Sequence, residues 1–284
     1  MQNAVAISSP IGVFDSGVGG LSVLKELRAM LPEESFIYVA DSGHAPYGDR
    51  HPEFVEARAR EVAHFLCQRH AKALVIACNT ASVLAVRRLR DSLSIPIVAM
   101  EPAIKPAAKL TRSKVILVLA TTATIRSESV AQLCRAYGTG MRIMLQACPG
   151  LSDQVERGEF QNETTHRLLE QYILPGIAEG VDTIVLGCTH YSFLANQIAA
   201  IAGPTVTIVE PSTAIARQLT RVLLPEPTLV QEKVNTIFYT SGSLALMSAF
   251  LKCIDEPFGQ VHSLPICEAE FQQTAVDPGI SDFK

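Results

Sequence analysis

The sequence predicts an α/β protein built from two similar doubly wound parallel-sheet halves. Short β-rich runs alternate with amphipathic helical patterns, which is the order typical of a parallel sheet covered by helices on both faces. Two cysteine-containing segments resemble each other, and two Glu-Pro pairs repeat at nearly the same offset. The alternation gives the fold class, and the repeats give the number of halves.

Each predicted strand is a short apolar run rich in β-branched or aromatic residues. In order, the strands are Ile11–Phe14, Phe36–Val39, Leu74–Ala77, Ile97–Ala99, Val115–Leu119, Arg142–Leu145, Thr183–Leu186, Val206–Val209 and Ile237–Tyr239. Between them, apolar residues recur at helical spacing and predict core-facing stripes without a functional role. Examples are Leu21, Leu24, Leu27 and Leu31, and then Val55, Ala59, Val62 and Leu66. From about Asp255 onward, Pro, Gly and acidic residues predict a peripheral tail.

The internal repeat sets the predicted domain limits. A-L-V-I-A-C-N-T-A-S (73–82) matches T-I-V-L-G-C-T-H-Y-S (183–192), with the two cysteines 110 residues apart. The Glu-Pro pairs that follow them are 109 residues apart. Because the two offsets agree within one residue, a duplicated architecture is favoured over chance. We expect a first domain of residues 1–99 and 211–284, and a second domain of residues 100–210.

Composition excludes several classes of protein. Of 284 residues, 48% are hydrophobic and 18% are charged, and the net charge of −4 supplies no basic field for nucleic acid. No apolar run approaches the roughly 18 residues of a membrane helix. The start of the chain has no secretory pattern, and its seven cysteines are an odd number. We therefore expect a cytoplasmic protein with free thiols and a small-molecule partner.

Two cysteines stand out by their position. Cys78 and Cys188 each follow a predicted strand and precede a helical pattern, so each should lie where open α/β sheets bind ligands. The next residues, Asn79-Thr80 and Thr189-His190, bring amides, hydroxyls and free backbone N–H groups. Such surroundings attract carboxylates and favour a thiolate. The remaining cysteines lack these neighbours and are expected to be structural: Cys67, Cys134, Cys148, Cys253 and Cys267.

The segment I-G-V-F-D-S-G-V-G-G places Asp15 and Ser16 after the first strand, followed by glycines that permit close approach of a ligand. Ser22 stands where a dinucleotide fingerprint needs glycine, and no Walker loop is present, so neither NAD nor nucleoside triphosphate is predicted. Asp15 is either a helix cap or a group that orients a base or receives an ammonium. The loop A-D-S-G-H-A-P-Y-G-D (40–49) is either a binding loop or an ordinary polar one.

No metal site is predicted. His190 lies two residues from Cys188, but this spacing differs from the C-x-x-C type that zinc sites use, and no second cluster accompanies it. The same absence of C-x-x-C argues against a dithiol redox centre. His190 is instead a candidate to donate a proton or to polarise the Cys188 thiol.

Four motifs together resemble the glutamate racemases. They are V-F-D-S-G-V-G-G-L-S (13–22), D-S-G-H-A-P-Y-G (41–48), A-C-N-T-A-S (77–82) and L-G-C-T-H-Y (186–191). The resemblance is collinear from about Ile11 to about Leu223. It implies two α/β domains related by pseudo-twofold symmetry, with the active site in the cleft between them. One cysteine would face each side of the substrate α-carbon.

The resemblance also implies the activity, which is cofactor-independent interconversion of L- and D-glutamate to supply D-glutamate for peptidoglycan. Cys78 and Cys188 would be the acid and base, assisted by Asp15 and His190. Glu156 is the best match to a further acid of the family, although C-P-G-L-S-D-Q-V-E replaces an apolar run there. The substrate would be lined by Asp15, Ser16, Tyr47, Gly48, Asn79, Thr80, Thr189 and His190.

A thiolate and a thiol on opposite faces can remove the α-proton and return another from the other side. By analogy, Cys78 would deprotonate the D form and Cys188 the L form. A UDP-muramyl peptide precursor activates some proteobacterial members, and that partner stays open here, as does a homodimer. Three alternatives also stay open: an aspartate racemase with a shorter pocket, a binding protein that closes on an acidic amino acid without reacting, and a second role as a DNA gyrase inhibitor.

Overall fold

The computed structural model describes residues 9–223, 234–254 and 261–265. The strands in chain order are β1 (Ile11–Asp15), β2 (Phe36–Ala40), β3 (Ala73–Ile76), β4 (Ile97–Ala99), β5 (Val115–Ala120), β6 (Arg142–Ala147), β7 (Thr183–Leu186), β8 (Thr207–Val209), β9 (Thr236–Thr240) and β10 (Val261–Ser263). The helices are α1 (Leu21–Met30), α2 (Pro52–Gln68), α3 (Asn79–Ser92), α4 (Ile104–Leu110), α5 (Thr122–Ile125), α6 (Glu128–Tyr137), α7 (Leu151–Glu156), α8 (Glu163–Ala178), α9 (Ala195–Ala202), α10 (Ser212–Leu223) and α11 (Leu244–Cys253). Short 3₁₀ turns span Tyr47–Asp49 and Thr189–Leu194.

These strands form two parallel sheets. The first has the order β10-β9-β2-β1-β3-β4, and the second has the order β6-β5-β7-β8. Every described strand pair is parallel, as the connecting helices require. The predicted α/β class with two parallel-sheet domains is confirmed. Because β9 and β10 join the first sheet, the chain leaves that sheet after β4 and returns to it near its end.

The helical stripes lie in the cores. Leu21, Leu24 and Leu27 on α1 are buried, and α1 packs against α10. The stripe of α2 is equally inaccessible, from Val55 to Leu66. Gly12 of β1 permits this packing, because a Cβ there would lie 3.0 Å from the Leu66 side chain. Burial of each such leucine contributes about 1.5–3 kcal/mol, so the stripes are structural, as predicted.

One part of the predicted tail is wrong. Val261–Ser263 forms β10 at the edge of the first sheet, where Val261 is paired with Phe238 of β9. A run of three residues with a histidine in its centre has too little hydrophobic pattern to indicate a strand. Its partner strand, not its own sequence, makes it extended. The rest of the predicted tail, Cys267 and the side chain of Cys253 lie outside the described part of the chain.

The two sheets meet at the carboxyl ends of their central strands. The last side chain of β1 and a side chain that follows β3 in the first sheet contact side chains that follow β7 and β5 of the second. This is the edge at which parallel α/β sheets bind ligands. None of the described helices has the length and apolarity needed to cross a membrane.

Candidate active site

Cys78 caps the N-terminus of α3 and is separated from β3 by one residue. Its sulfur accepts a hydrogen bond from the backbone N–H of Ala81 at 3.4 Å and donates to Ser16 Oγ at 3.5 Å. The side chain is buried. Burial, together with the nearby charge of Asp15, raises the pKa of the Cys78 thiol to about 12. Cys78 is therefore a neutral thiol at physiological pH.

Cys188 follows β7 and begins the 3₁₀ turn Thr189–Leu194. Its sulfur lies 3.6 Å from Nδ1 of His190 and 3.6 Å from Oγ of Ser152. Burial by itself would lower the pKa of His190, but the hydrogen bonds and charges of Cys188 and Glu156 raise it well above its usual value. A cationic imidazole therefore lies beside the sulfur of Cys188. The two cysteines thus have opposite electrostatic surroundings.

Glu156 links His190 to the glycine-rich loop of the first domain. Its Oε1 atom lies 2.6 Å from Nε2 of His190 and accepts a hydrogen bond of 2.7 Å from the backbone N–H of Val18. The close contact between Glu156 and this loop requires glycine at position 17, because a Cβ there would stand 1.8 Å from Oε1 of Glu156. A Cβ at Gly19 would stand 2.5 Å from Nδ1 of His190. The glycines after β1 therefore let backbone and catalytic candidates come together.

Asp15 is fully buried at the end of β1. One carboxylate oxygen accepts a 2.9 Å hydrogen bond from the Gly17 N–H, and the other accepts a 3.0 Å bond from Oγ1 of Thr189. Burial raises the pKa of Asp15, although the charge of His190 and these hydrogen bonds oppose the shift. The carboxyl thus connects the first sheet to the turn that carries Cys188.

Asn79 and Thr80 are the first two residues of α3, and only the Thr80 side chain has a hydrogen-bond partner among the described residues. Thr80 Oγ1 lies 2.9 Å from Oγ1 of Thr121, which in turn donates to Thr124. The Asn79 side chain is 2% exposed, and neither its amide nitrogen nor its oxygen has a hydrogen-bond partner among the described residues. Buried polar atoms are nearly always paired, so the unpaired amide next to Cys78 makes Asn79 a candidate ligand-binding residue.

The loop that carries Tyr47 is held by a buried carboxylate. Asp41 accepts two hydrogen bonds from Arg58, at 2.8 and 2.9 Å, one of 2.5 Å from the Tyr47 hydroxyl, and lies 3.0 Å from Nδ1 of His44. Burial would raise the pKa of Asp41, but these partners hold it well below its usual range. The Tyr47 hydroxyl is therefore engaged by Asp41 in this structure.

Residues 11–219 match the family model for Asp/Glu/Hydantoin racemases. The chain belongs to this family. The glutamate racemase of Methylococcus capsulatus is 45% identical over 258 residues, which are 90% of this chain and 95% of that protein. That of Ectopseudomonas mendocina is 45% identical over 256 residues, which are 89% and 97% of the two chains.

The structure of this chain is also similar to solved structures of glutamate racemases. Glutamate racemase isoform RacE1 from Bacillus anthracis has a TM-score of 0.81 and 33% identity, covering 90% of this chain and 97% of its own. The Escherichia coli glutamate racemase, solved with L-glutamate and the activator UDP-MurNAc-Ala, has a TM-score of 0.82 and 28% identity, covering 91% and 99%. The prediction of an isomerase of the glutamate racemase type is confirmed.

Most residues singled out in the sequence of this racemase lie in one connected region. Asp15, Thr189, His190, Glu156 and Cys188 form a chain of contacts. Ser16 and Cys78 form a second contact pair, Thr80 bonds to the second sheet, and Gly48 packs against the Thr121 side chain. No group of three or more His, Cys, Asp or Glu side chains suited to a metal ion occurs within the described residues.

Three residues of this region were missed in the sequence. Thr121 and Thr124 follow β5 as Cys78 follows β3, so the same strand-end argument would have found them. Ser152 follows no strand, and only the fold brings its hydroxyl to Cys188. Its position could not be deduced from spacing.

Proposed function

We propose that this racemase interconverts L- and D-glutamate by moving protons between two thiols, without a cofactor. The observation that carries the proposal is the contrast between the two buried cysteines. Cys78 is held as a neutral thiol, whereas Cys188 lies beside a charged His190. One deprotonated and one protonated group on opposite sides is what racemisation requires.

In the L-to-D direction, the Cys188 thiolate takes the α-proton of L-glutamate and becomes a thiol. The electron pair of the broken C–H bond stays on the α-carbon as a carbanion. The Cys78 thiol then gives its proton to the opposite face, which yields D-glutamate and leaves Cys78 as the thiolate. The reverse direction begins from that state. Because the α-proton is weakly acidic, preorganised donors and exclusion of water must lower the barrier.

The substrate is oriented by polar groups around the two sulfurs. The unpaired amide of Asn79 supplies a donor for a substrate carboxylate, and Thr80 supplies a hydroxyl on the same side. Ser16, Thr189 and the backbone of Tyr47-Gly48 complete the lining, and Asp15 receives the ammonium group. His190 and Glu156 act on Cys188, and His190 also lines the substrate.

We propose that the D-glutamate formed supplies peptidoglycan synthesis, as the resemblance to the glutamate racemases implies. The E. coli relative was solved with L-glutamate and UDP-MurNAc-Ala, and we propose the same substrate and the same kind of activator here. The free thiols of the described cysteines suit the reducing cytoplasm, where peptidoglycan precursors are made. We propose domain limits of 1–99 with 211–284 and 100–210, since β9 and β10 rejoin the first sheet.

The test is circular-dichroism detection of racemisation by the purified full chain. L-glutamate, D-glutamate and D-aspartate are offered without any cofactor, with and without UDP-MurNAc-Ala. We expect glutamate to be racemised, and Cys78→Ser and Cys188→Ser each to lose at least ~100-fold in rate. Cys67→Ser is the matched control, because that thiol lies on α2 away from the site. Full activity in either active-site variant would contradict the proposal.

A further inference from the structure

Ser152 contacts the sulfur of Cys188 from helix α7, a different element from the turn that carries Cys188. It is the second residue of α7, and its hydroxyl lies 3.6 Å from Cys188 Sγ. Both side chains are buried, with 5% and 7% of their surface exposed. A thiolate can only accept hydrogen bonds, so the hydroxyl is the donor whenever Cys188 is ionised.

The same arrangement exists at the other cysteine. Ser16 Oγ lies 3.5 Å from Cys78 Sγ, so each sulfur has one serine hydroxyl at hydrogen-bond distance. Ser16 follows β1 of the first sheet, whereas Ser152 belongs to a helix associated with the second. The two serines therefore approach the substrate region from opposite domains.

Helix α7 contacts both members of the Cys188–His190 pair. Ser152 and Glu156 are four residues apart, so they lie on one face of this helix, and Glu156 holds the imidazole at 2.6 Å. On another side, Gln154 accepts hydrogen bonds from Asn162 at 3.2 Å and Thr165 at 3.3 Å. These contacts fix α7, so the hydroxyl and the carboxylate are held at a set separation.

We propose that Ser152 is a positioning residue for Cys188, whose hydroxyl donates a hydrogen bond to the sulfur and holds it as a thiolate aimed at the α-carbon. The inference rests on the two-thiol function proposed above and adds a residue to it. A donor to the charged form of a group favours that form, which gives the contact a chemical effect beyond packing. A valine at position 152 would fill similar space but could not donate.

The first test follows the ionisation of Cys188 without using turnover. The full-length protein is alkylated with iodoacetamide over a range of pH, and the Cys188 peptide is quantified by mass spectrometry. We expect the midpoint of the Cys188 profile to rise by roughly one pH unit in Ser152→Ala and Ser152→Val, equal to a tenfold change in ionisation. Ser152→Thr should keep the wild-type midpoint, because it restores the hydroxyl.

Thr165→Val is the matched control. It removes a hydroxyl that supports α7 through Gln154 but does not touch Cys188. We expect it to lower the unfolding midpoint and to leave the alkylation profile where it is. An unchanged profile in Ser152→Ala and Ser152→Val, or an equal shift in Thr165→Val, would overturn the positioning role.

The second test separates the two proton transfers. Primary deuterium isotope effects on kcat/KM are measured with α-deuterated L-glutamate and α-deuterated D-glutamate. In Ser152→Ala we expect kcat/KM to fall about tenfold, with a larger isotope effect from the L enantiomer and a smaller one from the D enantiomer. Isotope effects in Ser152→Ala that equal those of the wild type for both enantiomers would overturn the proposal. If Cys188→Ser were fully active, the two-thiol function would fail, while the alkylation profile would still report on the Ser152 contact.

Discussion

The carboxylate of Asp41 is fully buried and accepts hydrogen bonds from Nε and Nη2 of Arg58 and from the Tyr47 hydroxyl. We expect Asp41→Asn to destabilise the protein strongly, because the neutral amide turns a donor toward Arg58 and leaves a buried cation. Arg58 would keep Glu61, at 2.6 Å, as its remaining charged partner. Removing one partner of a buried pair costs about 3–5 kcal/mol.

The assay is urea unfolding at pH 7, followed by circular dichroism. Arg142→Gln is the control, since it breaks a pair with Glu179 in which the side chains are 58% and 48% exposed. Such surface pairs contribute less than about 1 kcal/mol. A loss below about 1 kcal/mol in Asp41→Asn, or equal losses in both variants, would refute the assigned role of Asp41.

The pH dependence gives an independent check on this ion pair. The pKa of Asp41 in the folded protein lies below the ordinary value of 3.8, so its stabilising effect is complete above that pH and is lost as the pH falls through the folded value. The difference between wild type and Asp41→Asn should therefore be constant near neutrality and shrink only below about pH 4. A difference that disappeared between pH 6 and 8 would contradict this assignment.

Other predictions concern the reaction itself. Gly17→Ala would place a Cβ 1.8 Å from the Glu156 carboxylate. We expect kcat to fall at least ~10-fold in steady-state assays, while the far-ultraviolet circular-dichroism spectrum stays that of the wild type. A wild-type kcat would contradict the close packing. Asn79→Leu removes an unpaired buried amide. The midpoint of urea unfolding should therefore stay the same or rise, while KM rises about 10–100-fold. A loss of stability with a normal KM would show that the amide is structural. Iodoacetamide at pH 8 should label Cys188 before Cys78, as measured by peptide mass spectrometry, because Cys78 is a neutral thiol; preferential labelling of Cys78 would contradict that state.

The sequence was sufficient for most of the fold because its strands carry their own signal. Runs such as V-I-L-V-L at 115–119 are apolar and β-branched, and they form β5 nearly as predicted. β10 was missed because Val261–Ser263 is extended through its pairing with β9 and not through its own pattern. Edge strands of three residues depend on tertiary contacts that no local periodicity records.

The candidate site likewise contains residues that the sequence predicts and contacts that only the fold creates. Cys78, Cys188 and Asp15 could be found because each follows a strand, and parallel strands bring their carboxyl ends to one edge. The contact of Ser152 with Cys188 depends on how α7 packs, which spacing does not encode. The hydrogen bond between Arg58 and Asp41 joins residues 17 positions apart, because the loop that carries Asp41 packs against α2. The sequence pattern did not predict this contact either.

The most direct test of the two-thiol account is the fate of the α-hydrogen in heavy water. L-glutamate is converted by the wild-type enzyme in D₂O to low conversion, and deuterium is measured separately in the product and in the remaining substrate. With Cys188 removing the proton and Cys78 returning another, the D-glutamate formed should carry one α-deuterium while the remaining L-glutamate stays unlabelled. D-glutamate that retained protium, or equal labelling of both enantiomers, would show that a single group acts on both faces and would contradict the account.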